Sequence, residues 1–130
     1  MHETLICKAK RKDWEKLPKE DWWVVGYVVR YGFTKREKYY IVPEYASDLY
    51  SIEILPDTIC QNTGMRDYKG VQICEHDKCV VTRPGVLAFG SIKYGKGGFY
   101  FVEDKTGSIL RLWDLQVNNY RIEVEGNMFD

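Results

Sequence analysis

Val80-Val81-Thr82-Arg83-Pro84-Gly85-Val86-Leu87-Ala88-Phe89-Gly90-Ser91-Ile92-Lys93-Tyr94-Gly95-Lys96-Gly97-Gly98-Phe99-Tyr100-Phe101-Val102 decides the fold class. Its apolar runs are short and rich in β-branched and aromatic residues, which suit a pleated, half-buried surface. They are cut by Arg83-Pro84-Gly85 and Gly95-Lys96-Gly97-Gly98, both strong turn signals. The stretch therefore reads as three consecutive short strands. The second turn has glycines and a lysine but no strand-to-helix context, so it is a hairpin tip and not a phosphate-binding loop.

Towards the C-terminus, Lys105-Thr106-Gly107 is a further turn and Tyr120-Arg121-Ile122-Glu123-Val124 alternates as a strand. Between them, Ile109-Leu110-Arg111-Leu112-Trp113-Asp114-Leu115 fits both the strand and the helix period poorly. Towards the N-terminus, Asn62 to Ile73 reads as a hairpin around Tyr68-Lys69, with Gly70 free to take positive φ. Tyr50 to Leu55 and Tyr39 to Val42 are short strands stopped by Pro56 and Pro43, because proline withdraws a ladder donor. Trp22 to Tyr31 reads as a buried strand whose Gly26 marks a bulge or a close approach. Leu5 to Lys10 is a first strand, and charged Arg11 to Asp21 a solvated connection.

Eight or more short strands without a persuasive amphipathic helix imply an all-β barrel or sandwich in one domain, residues 1–130. The acidic turn Glu75-His76-Asp77 feeding successive antiparallel strands narrows the expectation to a small SH3-like barrel with additional strands.

Nineteen basic residues balance nineteen acidic ones, which argues against strong non-specific attraction to phosphate backbones or anionic membranes. The opening residues have no apolar run long enough for a signal peptide or a spanning helix, so a cytoplasmic location is expected, with no membrane partner. Cys7, Cys60, Cys74 and Cys79 then read as reduced, packed thiols.

The centre of the chain carries a motif: Pro56-Asp57-Thr58-Ile59-Cys60-Gln61-Asn62-Thr63-Gly64-Met65-Arg66-Asp67-Tyr68-Lys69-Gly70-Val71-Gln72-Ile73-Cys74-Glu75-His76-Asp77. It resembles the YopX family of small phage and prophage proteins, whose pattern is a proline and threonine, then Gln-x-Thr-Gly, an Asp, a Gly, and Ile-x-Glu-Gly-Asp. Trp23-Val24-Val25-Gly26-Tyr27 and Glu123-Val124-Glu125-Gly126-Asn127 resemble its flanking elements. His76 departs from the pattern where the family has glycine, and Cys74 where it has an aromatic or aliphatic residue. The resemblance implies a phage- or prophage-encoded accessory protein acting in a host cytoplasm, and it brings no catalytic residues with it.

Candidate chemistry is sparse. Cys74, His76 and Cys79 with Cys60 are metal-ligand types, but paired Cys-x-x-Cys knuckles are absent and packed thiols are the better reading, so no metal or cofactor is expected. Glu75 and Asp77 lie two apart, on the same side of a strand, as an acid–base pair requires, yet nothing nearby supplies a nucleophile or an oxyanion site. Thr63, Gly64, Asp67, Gly70, Glu75 and Asp77 are therefore read as backbone-shaping residues, and the chain as a non-enzyme. Binding is assigned to Trp22, Trp23, Arg30, Tyr31, Arg36 and Tyr39, with a host or phage protein as partner. In a strand, one ring of the Trp22-Trp23 pair should be buried and the other more exposed. The alternative is nucleic acid held by the basic and aromatic segments 8–19 and 30–40. Open sheet edges leave room for self-association.

Overall fold

A computed structural model describes residues 6–32, 38–43 and 51–130 of the chain. It is mostly β, with antiparallel strands throughout. Residue contacts cluster into two compact units, Met1–Gln61 and Asn62–Asp130.

The first unit contains β1 (Ile6–Lys10), β2 (Trp23–Tyr31), β3 (Lys38–Pro43) and β4 (Ile52–Glu53), in the order β4-β3-β2-β1. β1 also pairs with the first residues of β5 (Cys60–Arg66), Cys7 opposite Gln61 and Lys8 opposite Cys60. Buried Ala9, Val24, Ile41 and Ile54 form its core, with Val28, Tyr39 and Ile59 packed against them. Gly26 sits in an unshifted register between Cys7 and Pro43, so it marks no bulge. It marks a close approach: an added Cβ would lie 2.2 Å from the Val42 carbonyl oxygen.

In the second unit the rest of β5 pairs with β6 (Gln72–Cys74) around the turn at Tyr68-Lys69, where Gly70 takes φ 85°. The larger sheet, in order β10-β9-β8-β7-β11, comprises β7 (Asp77–Arg83), β8 (Val86–Gly95), β9 (Gly98–Glu103), β10 (Ile109–Arg111) and β11 (Arg121–Asn127). The segment that fitted neither period is both: β10 runs directly into α1 (Leu112–Val117). Leu112 and Leu115 of α1 join Cys79, Val81, Ile92, Phe101 and Ile122 in one core on the inner face of the sheet.

The architecture differs from the closed barrel expected from sequence. Neither sheet closes among the described residues: the strand orders are linear, ending on β4 and β6 and on β10 and β11. An open sheet must cover its apolar face, and α1 does so here, where a barrel would curl the sheet upon itself. The solvated connection Arg11 to Asp21 is also more ordered than expected, since Trp14–Lys16 and Lys19–Asp21 are 3-10 turns.

Candidate functional site

From Asn62 onward the motif residues shape the second unit. Thr63 donates its hydroxyl to the Ile73 carbonyl (2.7 Å) and accepts from the Met65 backbone N–H (3.1 Å), bracing the irregular pairing of β5 with β6. Asp67 accepts from the backbone N–H groups of Lys69 (2.9 Å) and Val71 (2.8 Å) with one oxygen and Val124 (3.0 Å) with the other. One carboxylate thus closes the hairpin turn and ties it to β11. Burial pushes this carboxyl up, but the bonds from Val124, Val71 and Lys69 outweigh burial and hold it below the ordinary carboxylate value.

A depressed folded-state pKa gives stability that is present above the unfolded value and lost as pH falls through the folded one. Asp67→Asn should therefore flatten the acid limb of stability against pH, read from denaturant midpoints between neutral and acid pH. An unchanged acid limb would show that Asp67 contributes nothing to it.

Asp77 is fully buried and accepts from the Cys74 backbone N–H (2.7 Å) and from Asn127 Nδ2 (2.9 Å). Asp77 thus bonds the backbone of this acidic turn and is shut off from solvent, while Glu75 Oε2 faces His76 Nε2 at 3.6 Å. Between the two, His76 takes φ 67°, the left-handed conformation that glycine adopts without penalty. For a residue with a Cβ it costs about 1–2 kcal/mol. Hydrogen bonds from His76 N–H to the Ile92 carbonyl and from Met128 N–H to the His76 carbonyl hold the turn in place. The His76 ring stands edge-on to Phe129, and its Nδ1 is buried without a hydrogen-bond partner.

Among the described residues, the binding set expected from sequence does not gather into one surface. Trp22 lies in the turn that precedes β2, so strand alternation begins only at Trp23, and both rings are half-buried. Trp22 donates Nε1–H to the Leu17 carbonyl and meets Trp14 edge-on at 4.9 Å between ring centroids. The Lys10 ammonium lies over both rings, 3.8 Å from Trp14 and 4.5 Å from Trp22, and Lys10 is only 5% exposed. Lys8 covers Trp23 in the same way at 5.2 Å. These rings and cations bind one another, as cation–π pairs. Arg11 and Lys12 are likewise paired with Asp13 and Glu53. In the β2–β3 hairpin, Arg30 opposite Tyr39 and Tyr31 opposite Lys38 occupy alternate faces, so Tyr31 points away from the other two. Arg36 lies outside the described residues.

The second unit carries what sequence reading missed. Leu110, Trp113 and Val117 are exposed around the β10–α1 junction, Trp113 at 64%. Trp113 and Val117 are one helical turn apart, while Leu112 and Leu115 face the core. The signal was present: a run of apolar residues that fits neither period cannot bury all of them. The outer face of the sheet is also apolar, with Leu87, Phe89 and Ile109 exposed. Beside them, Lys93, Tyr94, Gly95, Lys96, Tyr100, Val102 and Ile109 line an open groove of about 310 Å³.

Among the described residues no helix is long and apolar enough to cross a membrane, and all four cysteines are buried and unbridged. In comparison with known proteins, no protein-family model and no curated protein matches this chain.

Proposed function

We propose that this chain is a non-catalytic interaction module, a YopX-like accessory protein of phage or prophage origin that acts by binding a protein in the host cytoplasm. One observation carries the reading: Thr63, Asp67 and Asp77 of the motif are engaged in holding the backbone, whereas large apolar side chains stand exposed at Leu110, Trp113 and Val117. Exposed apolar patches with a tryptophan at the centre are characteristic of contact surfaces. The positive φ of His76 supports the family reading, since it falls where the YopX pattern has glycine.

β10 is an edge strand with all three residues exposed, which suits a partner that adds a strand beside it. Capture from infected or lysogenic host cells tests the proposal. A protein retained by the wild-type chain after nuclease treatment, and lost with Leu110→Ser and Trp113→Ala, is the expected result. Retention unaffected by either substitution, in variants of unchanged thermal stability, would remove this surface from the account.

A further inference from the structure

A different face of the second unit supports an inference beyond protein docking. Antiparallel pairing sets Lys93 opposite Tyr100 and Tyr100 opposite Arg111, so the three share one row across β8, β9 and β10. In the next row Ser91, Val102 and Ile109 are opposite one another. The groove thus has a floor of Tyr100, Val102 and Ile109, with Lys93 and Lys96 in its lining and Arg111 beside Tyr100. No carboxylate lines it. Among the described residues none of these three cations is paired with an acid, and Lys93 Nζ meets only the Met128 sulfur, at 3.6 Å.

Lys96 adds an independent observation. The loop joining β8 to β9 is the two-residue turn Lys96-Gly97, with φ 48° and 78°, flanked by the Gly95–Gly98 pair. Positive φ at both central positions favours Asn, Asp or Gly, so a lysine here is conformationally costly. Strain of this kind clusters where a side chain is needed for binding. Here it sets an ammonium at the mouth of the groove.

We propose that this groove binds single-stranded nucleic acid, with a base against Tyr100 and neighbouring phosphates held by Lys93, Lys96 and Arg111. Charge complementarity fixes an anionic ligand. The cation–ring–cation row matches a flat base flanked by phosphates, and open β-sheet faces with exposed rings bind single strands in this way. The carboxylates of an acidic peptide would match the cations but would not stack on the ring at the row's centre.

Fluorescence anisotropy on the full chain, with a labelled oligothymidylate of about 12 nucleotides, tests the proposal within the usual site sizes of small β folds. Three phosphate contacts predict that log K falls with log salt at a slope of about −2. Lys96→Glu and Lys93→Glu should each weaken binding by about tenfold at low salt, and Tyr100→Ala by a similar factor with less effect on the slope. The lysines are at the surface, so their variants report on binding even where Tyr100→Ala fails to fold. Absence of oligonucleotide binding at low salt, binding insensitive to both charge reversals, or capture of an acidic peptide in place of the oligonucleotide would overturn it. Capture through Trp113 would be untouched by any of these results.

Discussion

Replacing Asp77 by alanine is expected to destabilise the second unit by about 4 kcal/mol, because two buried donors lose their acceptor and each unsatisfied buried group costs ~1–3 kcal/mol. Those donors are the Cys74 backbone N–H and Asn127 Nδ2. They come from opposite sides of the acidic turn, so the carboxylate holds the end of β6 and the end of β11 against the start of β7. Asp77→Asn keeps the shape and one acceptor but turns an NH2 group towards the remaining donor, and should lose about half as much. Urea unfolding followed by circular dichroism measures both. A loss below about 1 kcal/mol for the alanine variant, the scale of an ordinary hydrogen bond, would show that water replaces the carboxylate.

Phe101→Ala should have an effect of similar size, about 3–5 kcal/mol, the range for removing a buried phenylalanine. Phe101 is fully buried, and its ring packs where Gly90 leaves room: a Cβ added to Gly90 would come within 2.8 Å of the ring. Ile92 lies opposite it on β8, and Leu112 and Leu115 of α1 belong to the same core. Because strands and helix meet in this cluster, collapse around the lost ring is restricted. The midpoint of thermal unfolding should fall with little change in the spectrum of the folded protein. A variant within about 1 kcal/mol of wild type would mean that α1 repacks freely, contrary to a core joined through that ring.

The parts of this fold that were legible in the sequence are local. Arg83-Pro84-Gly85 and Gly95-Lys96-Gly97-Gly98 announce their turns because backbone conformation there depends on the residues themselves. Gly70 and Asp67 behave as their types suggest, one by taking positive φ and the other by bonding the backbone two residues on.

What was not legible depends on partners distant in the chain. Nothing near Lys10 announces that Trp14 and Trp22 will enclose its ammonium, so a buried cation looks in sequence like part of a basic surface. The Trp22-Trp23 pair does not alternate as strand neighbours would, because a 3-10 turn is capped at Trp22 and β2 begins only at Trp23. The cover on the larger sheet is equally hidden, because α1 is too short to produce a clear period in the sequence. The exposed surface of the second unit went unseen for the same reason, since Leu110, Leu112, Trp113 and Leu115 look equally apolar until strand gives way to helix.

Under the proposed function, the second unit combines a backbone-holding motif with a separate exposed surface that binds the partner. Hydrogen exchange, measured on the chain alone and with its captured protein partner, tests that division most directly. Protection gained in residues 109–117, with no change in residues 62–77, is the predicted result. Protection gained in residues 62–77 and absent from residues 109–117 would contradict the account, because the motif itself would then be the contact surface.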